Sequence, residues 1–170
     1  GWLRYFLMTE ILARTATVAD ALGLIRAVPH AGGGTLILAD AAGSLAAVEL
    51  GADAAALEQS HLVCRTNHFT TAALAEETLL HRDSRIDSSS ARRRAALDRH
   101  LPSRRWDAAS AAALMAEHDT SPAGAPFCQH DDGAGTRTIA SAVYCCRGGL
   151  LYAVLDSPCT GAWQSYTLTV

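Results

Sequence analysis

Two strand–turn–strand patterns, one on each side of a helical middle, constrain the fold of this chain most. The first covers residues 35–50 and turns at 41–43, and the second pairs 137–146 with 150–156. Residues 72–118, which separate them, have a helical composition. Because tight turns join antiparallel strands, and because no β–α–β alternation or internal repeat occurs, we predict a mainly antiparallel α+β fold in which helices cover a sheet.

The opening segment has the spacing of helices that face a core. Apolar side chains recur at three- and four-residue steps over residues 2–28, so we expect two helices or one bent helix there. Thr17, three residues before Asp20, suits a helix N-cap. The glycine run at 32–34 should link a helix to a strand, since the Gly-Lys-Ser/Thr of a phosphate-binding loop does not follow it. Further extended stretches are expected at 61–68, 126–130 and 162–170.

The middle of the chain concentrates arginine. Between residues 82 and 105 there are eight Arg against three Asp. The serines at 88–90 are placed to cap a helix that carries Arg92, Arg93, Arg94 and Arg99. Such a charge run usually forms a solvated helix face, and a site for an anion or an acidic partner is the alternative.

Composition excludes several classes of function. All 14 basic residues are Arg, which rules out Schiff-base lysine chemistry, a Walker-type phosphate lysine and a Ser-Lys dyad. A formal net charge of −3 on 170 residues argues against a dedicated nucleic-acid binder. No apolar run is long enough for a spanning helix. The five scattered cysteines resemble reduced cytosolic thiols, so we expect a cytoplasmic protein that binds neither nucleic acid nor membrane.

The sole asparagine of the chain, Asn67, lies within Arg65-Thr66-Asn67-His68-Phe69. An Asn at the end of a strand can donate its side-chain NH2 to a developing oxyanion. The alternative is a residue that caps a loop or forms a turn. Spacing alone favours the turn residue.

Cys64 and His68 could form a thiol–imidazole pair. In a strand, however, residues four apart lie about 13 Å from each other at about 3.3 Å per residue, which is too far for a hydrogen bond. A structural thiol is therefore the favoured interpretation of Cys64.

A metal site is the other chemistry that the cysteines suggest. Cys128 and His130 are two apart, and Cys145 and Cys146 follow later. Zinc ligands usually come in pairs two to four residues apart, and a vicinal second pair chelates one ion poorly. The acidic residues after His130 lack the closing ligand of a calcium loop. We therefore expect no metal.

Several segments, taken in order, point to one family. They are residues 36–49, 65–69, 127–130, 138–143, 148–150 and 157–159, and Thr66-Asn67-His68-Phe69 is the most distinctive part. Together they resemble the acyl-coenzyme A:6-aminopenicillanic acid acyltransferase (isopenicillin N acyltransferase-like) family, a branch of the N-terminal-nucleophile hydrolases.

The resemblance implies a four-layer αββα fold and a precursor that cleaves itself to expose an N-terminal Cys. That thiol attacks an amide or thioester carbonyl, its own α-amine acts as base, and the acyl-enzyme passes to water or an amine. Asn67 would be the oxyanion-hole donor. Arg65, Thr66 and His68 match the motif and would have supporting parts, and the remaining matches, structural or lining the site, are Cys128, His130 and Ser141.

The nucleophile is not recognisable among these residues, because Gly1 has no reactive side chain and each of the five Cys lies inside a predicted element. We therefore expect residues 1–170 to be the C-terminal piece of one such domain. The Cys would come from an upstream segment or a separate chain. The expected substrate is a small amide or peptide-like metabolite of bacterial secondary metabolism. Acyl-coenzyme A is an alternative co-substrate, and we expect no other cofactor. A homo-oligomer is compatible with this interpretation.

Two alternatives remain at this stage. The first is a catalytically inactive binding or assembly subunit of the same fold, which holds an acidic partner through its Arg-rich helix. The second is a thiol enzyme built on Cys64.

Overall fold

The computed structural model describes residues 1–51, 53–75, 84–103, 105–118, 127–130 and 137–168, with the backbone alone at 84–87. The chain divides into two compact units, Gly1–Ser90 and Ala91–Val170. The elements of the first unit are β1 (Trp2–Leu3), α1 (Arg4–Arg14), α2 (Val18–Ala27), β2 (His30–Ala31), β3 (Gly34–Ala39), β4 (Leu45–Leu50), β5 (Ala55–Gln59), α3 (Ala72–Ala75) and the start of α4 (Ser84–His100). The second unit adds α5 (Ala108–Met115), β6 (Ser141–Cys145), β7 (Leu150–Val154) and β8 (Gln164–Thr167).

The two opening helices bury one face each, as their spacing predicts. Leu7 and Ile11 of α1 and the apolar side of α2 pack into one core with side chains of β3 and β4. Thr17 caps α2, because its hydroxyl accepts a hydrogen bond from the N–H of Asp20 at 3.1 Å. Two helices therefore form, and the break between them is at the expected cap.

The first predicted hairpin is confirmed. Strands β3, β4 and β5 form an antiparallel sheet in that order. Asp40 fixes the β3–β4 turn and the start of α2 together, since its carboxylate accepts from the N–H of Val18 at 3.0 Å and of Ser44 at 2.9 Å. These bonds hold the pKa of Asp40 below its ordinary value.

Strand β4 is the centre of this sheet and is buried from Ala46 to Leu50. A central strand covered on both faces accepts a charged residue only if that charge is paired. Glu49 lies within this run and has no exposed surface. The fold therefore requires partners for Glu49, and these build the candidate site.

The prediction of an extended stretch at 61–68 is wrong. The third strand of the sheet is β5, Ala55–Gln59, and residues 61–71 have no regular structure. The N–H of Gly51 bonds to the carbonyl of Ala54 at 2.7 Å, which brings the chain back against β4 early. In the segment that follows β5, the backbone N–H groups of Asn67, Thr70 and Thr71 bond to side chains and not to a neighbouring strand.

The serine cap expected at 88–90 is also wrong. Helix α4 begins at Ser84, so these serines lie inside it, and Ser90 is buried. Helix α5 does begin at a cap, where Asp107 and Ser110 form a reciprocal capping box. A serine cluster signals a cap only where the helix begins, and here the helix begins earlier.

The second unit contains the other predicted hairpin. Strands β6, β7 and β8 form an antiparallel sheet in that order. Gly149 closes the β6–β7 turn with φ of 59°, a left-handed conformation that favours glycine. The expected extended stretch at 126–130 is not a strand over its described part, 127–130. With helices and antiparallel sheets, the protein has an α+β fold. In the described part of the chain, no helix has the length and hydropathy needed to cross a membrane.

Candidate active site

The segment 65–71, which contains the predicted site residues, is fastened to β4 by the carboxylate of Glu49. Oε1 accepts hydrogen bonds from the N–H of Thr70 at 2.9 Å and from its hydroxyl at 2.7 Å. Oε2 accepts from the N–H of Thr71 at 3.0 Å and from its hydroxyl at 2.7 Å. Four donors from two adjacent residues therefore converge on one buried carboxylate.

Arg65 supplies the positive charge that this carboxylate needs. Its Nε lies 2.7 Å from Oε1 of Glu49, in an ion pair whose N–H is not aligned as a hydrogen bond. Its Nη2 donates to Glu58 at 2.7 Å and its Nη1 to the carbonyl of Cys64 at 2.8 Å. With only 4% of its side chain exposed, Arg65 is a buried structural cation.

The environment keeps Glu49 ionised. Burial raises the pKa of the carboxyl, but the hydrogen bonds from Thr71 and Thr70 outweigh burial and lower the pKa from 4.5 to about 2. Glu49 is therefore a permanent anion at neutral pH. Such a group is suited to holding a loop in place and not to exchanging protons with a substrate.

Ser90 is the second residue that holds this segment. Its Oγ accepts the backbone N–H of Asn67 at 2.8 Å and lies 2.7 Å from Nδ1 of His68 and 3.1 Å from Oγ1 of Thr66. Thr66 and His68 also approach each other, at 3.3 Å. One buried hydroxyl thus meets all three residues of the Thr66-Asn67-His68 motif.

Asn67 is exposed while its main chain is fixed. An oxyanion donor needs this combination, since its side chain must reach a reacting carbonyl from an immobile backbone. Thr66 and His68 contact Ser90 beneath the loop, and Arg65 is buried, so these three can position the loop. The arrangement can hold an amide donor at the surface.

A model of the acyl-coenzyme A:6-aminopenicillanic acid acyl-transferase family matches residues 1–160. The chain belongs to this family. This match confirms the resemblance inferred from the ordered segments. Membership of the family implies an enzyme with acyltransferase or hydrolase activity. No curated protein is similar enough to this chain to count as a match.

Two residues of the candidate site have no assigned functional role in the sequence analysis. Glu49 closes one of the segments that resemble the family, but no pattern assigns it a partner. Ser90 was interpreted as a helix cap. The only available signal was indirect, because a charged residue within the apolar run of a central strand must find a buried partner.

The cysteines considered in the sequence analysis lie in separate parts of the chain. Without a strand at 61–68, the spacing argument that separated Cys64 from His68 no longer applies, and the contacts of His68 Nδ1 are with Ser90 and Thr66. Cys145 ends β6 and Cys146 begins the turn that follows. Cys128 and His130 lie together in the second unit, with companions that the spacing did not suggest.

Removing the Ser90 hydroxyl should loosen this site. In a Ser90→Ala variant, the part-buried N–H of Asn67 loses its acceptor and the contacts with His68 and Thr66 are lost, so we expect a loss of about 1–3 kcal/mol in the free energy of unfolding. Urea unfolding of the purified protein measures it. Ser88→Ala, at an exposed position of the same helix, gains the same helix propensity and should lose less unfolding free energy than Ser90→Ala. Equal values for the two variants would contradict the role given to Ser90.

Proposed function

We propose that this chain provides the oxyanion-hole part of an amide hydrolase or acyltransferase that works through an acyl-enzyme. The observation that supports it is the exposed Asn67 of a chain of this family: Ser90 fixes its backbone N–H, and Glu49 anchors the same segment at Thr70. Its substrates would be a small amide or thioester donor and either water or an amine acceptor.

The reaction would follow the chemistry of an N-terminal Cys. The thiol gives its proton to its own α-amine and attacks the carbonyl carbon, and the carbonyl oxygen becomes an oxyanion. The side-chain NH2 of Asn67 donates a hydrogen bond to that oxyanion. When the tetrahedral intermediate collapses, the α-ammonium returns the proton to the leaving amine or thiol. Water or an amine then attacks the thioester in a second cycle of the same kind.

The nucleophilic Cys would come from an upstream segment or a separate chain. The family name supports acyl-coenzyme A as donor and a 6-aminopenicillanic acid-like amine as acceptor. Both are proposals for this chain, as are its cytoplasmic location, its self-assembly and the four-layer fold.

The alternative function, an inactive subunit that binds an acidic partner, depends on the Arg-rich helix α4. Some of the charges of this helix are already paired within it. Nε of Arg94 donates to both oxygens of Asp98, one turn along α4, at 2.9 and 3.0 Å. Arg93 is half-buried, and this burial lowers its pKa, so only part of its guanidinium group is presented at the surface. These contacts are typical of a helix face that satisfies its own charges, which favours the enzyme over the inactive subunit.

The test is an assay of the complete gene product. We expect it to release coenzyme A thiol from an acyl-coenzyme A faster when 6-aminopenicillanic acid is added, or to hydrolyse small amides, and intact mass should show an acyl adduct on an N-terminal Cys. A Cys64→Ser variant should keep the rate. Loss of turnover in that variant would favour the thiol enzyme built on Cys64. An active form without a segment that starts at Cys would overturn the proposal.

A further inference from the structure

Four side chains of the second unit converge on one point that the acyl-transfer chemistry does not use. They come from three segments: His118 follows α5, Cys128 and His130 lie in the stretch 127–130, and Cys159 lies in the turn after β7. Their ligand atoms all lie within 4.8 Å of one another. We propose that His118, Cys128, His130 and Cys159 bind one Zn²⁺ ion as a structural site.

One nitrogen atom shows why hydrogen bonding does not explain the cluster. Nε2 of His130 lies 3.0 Å from Nε2 of His118, 3.3 Å from Sγ of Cys159 and 3.6 Å from Sγ of Cys128. An imidazole nitrogen has either one proton or one lone pair, so it satisfies one of these three neighbours. A cation at the centre would satisfy all four ligand atoms at once.

The spacing of the ligand atoms fits tetrahedral zinc. With Zn–N of about 2.05 Å and Zn–S of about 2.3 Å, a tetrahedron has edges of about 3.3 Å between nitrogens, 3.8 Å between sulfurs and 3.5 Å between unlike atoms. The observed nitrogen–nitrogen distance is 3.0 Å, the sulfur–sulfur distance is 3.5 Å, and the two mixed distances from Nε2 of His130 are 3.3 and 3.6 Å. The two mixed distances from His118 to the sulfurs are within 4.8 Å. Side-chain shifts of about 1 Å would therefore complete the coordination sphere.

Backbone hydrogen bonds hold the three segments together without the metal. The N–H of Cys128 donates to the carbonyl of Glu117 at 2.9 Å, which ties 127–130 to the end of α5. The N–H of Thr138 donates to the carbonyl of Gln129 at 2.8 Å, and the hydroxyl of Ser157 donates to the carbonyl of Thr138 at 3.3 Å. The ligands are thus positioned before the ion binds, as a specific site requires.

The ligand set selects the metal and the role. Two thiolates and two imidazoles in a tetrahedron are typical of zinc, whereas calcium and magnesium prefer oxygen ligands. Four protein ligands leave no position for water, so the site is structural and not catalytic. Binding forms two Zn–S and two Zn–N bonds, and each thiol that was protonated releases its proton to solvent.

This site replaces the expectation of no metal, and the reason is geometric. The sequence argument paired Cys128 and His130 with the vicinal Cys145 and Cys146, which chelate poorly. The structure brings His118 and Cys159 to the same point instead. The turn that places Cys159 is closed by the carbonyl of Ser157, which accepts from the N–H groups of Thr160 and Gly161 at 3.2 and 2.8 Å.

Metal analysis of the purified, untagged protein tests the proposal. The protein is prepared under reducing conditions, stripped with a chelator, returned to zinc and desalted. We expect one zinc per chain by elemental analysis, and about none above background in Cys159→Ser. Cys145→Ser is the matched control, because it also removes one thiol from the second unit, and it should keep the ion. If other cysteines of the complete protein also bind zinc, Cys159→Ser should still contain one zinc ion fewer per chain than Cys145→Ser.

Two further measurements distinguish the loss of a metal ligand from unfolding of the variant. Stripped wild-type protein titrated with Co²⁺ should develop thiolate-to-cobalt charge transfer and tetrahedral d–d bands, and His118→Ala, which changes an exposed ligand, should weaken them while circular dichroism stays unchanged. Zinc should raise the thermal midpoint of wild type and of Cys145→Ser. Equal zinc contents in wild type and Cys159→Ser, no uptake by folded reduced wild type, or a Cys128–Cys159 disulfide that persists under these reducing conditions would overturn the proposal.

Discussion

A Glu49→Gln variant is expected to lose about 3 kcal/mol of unfolding free energy, the lower end of the range for breaking a buried ion pair. Glutamine has the same shape, but its NH2 would face donors where an oxygen now accepts from Thr70 or Thr71. Arg65 would keep its bond to Glu58, which limits the loss. Urea unfolding of the purified protein at neutral pH measures the effect.

Glu58→Gln is the matched control. Glu58 pairs with the same arginine at the same distance of 2.7 Å, but 44% of its side chain is exposed and none of that of Glu49 is. Exposed pairs contribute about 0–1 kcal/mol, so this variant should be close to wild type. If the two substitutions cost the same, burial would not be the source of the contribution of Glu49.

The pH dependence of stability provides a second measurement on the same residue. The pKa of Glu49 is lowered from 4.5 to about 2 on folding, so its contribution is fully present above pH 4.5 and is lost as the pH falls toward 2. This shift corresponds to about 3 kcal/mol. Over that window, unfolding free energy should fall less steeply in Glu49→Gln than in wild type. Parallel curves would contradict the lowered pKa.

The second large effect concerns Asn67. If its amide stabilises the oxyanion, Asn67→Ala should lower kcat of the complete enzyme by about 10²- to 10³-fold with little change in KM, because the bond strengthens only in the transition state. Steady-state kinetics on the best substrate of the complete gene product measures this. The bond to Ser90 should persist, since it uses the backbone N–H of residue 67, which alanine retains.

Two controls separate catalysis from general damage. Gln59→Ala removes another exposed side-chain amide, at the end of β5, and should leave kcat unchanged. Asn67→Asp keeps the shape but places a carboxylate where the oxyanion forms, so it should be at least as slow as the alanine variant. A near-wild-type kcat in Asn67→Ala would remove Asn67 from the site.

Much of the framework follows from local signals in the sequence. The Thr17 cap, the turn at Asp40 and Gly43, and the turn at Gly149 each depend on residues a few positions apart, and all are found in the structure. The site does not follow in this way. Glu49 reaches Thr70 and Thr71 across 21 and 22 residues, and Ser90 reaches Asn67 across 23. Periodicity and spacing describe neighbours along the chain and cannot pair such distant side chains.

The error at 61–68 has the same origin. A segment with strand-like composition becomes a strand only if a neighbour accepts its backbone hydrogen bonds, and β5 already occupies that side of β4. The cluster of His118, Cys128, His130 and Cys159 is a further case, since its four ligands come from three segments that only tertiary structure brings together.

The two anchors of residues 65–71, Glu49 and Ser90, limit how this loop can be transplanted. A protein engineer who grafts residues 65–71 onto another scaffold would move the donor and leave behind the acceptors that hold it. Glu49 and Ser90 belong to a strand and a helix outside the graft, and each bonds to the backbone of the loop. The smallest portable unit is therefore the whole segment 65–71 together with one buried carboxylate and one buried hydroxyl, and a host scaffold must offer both.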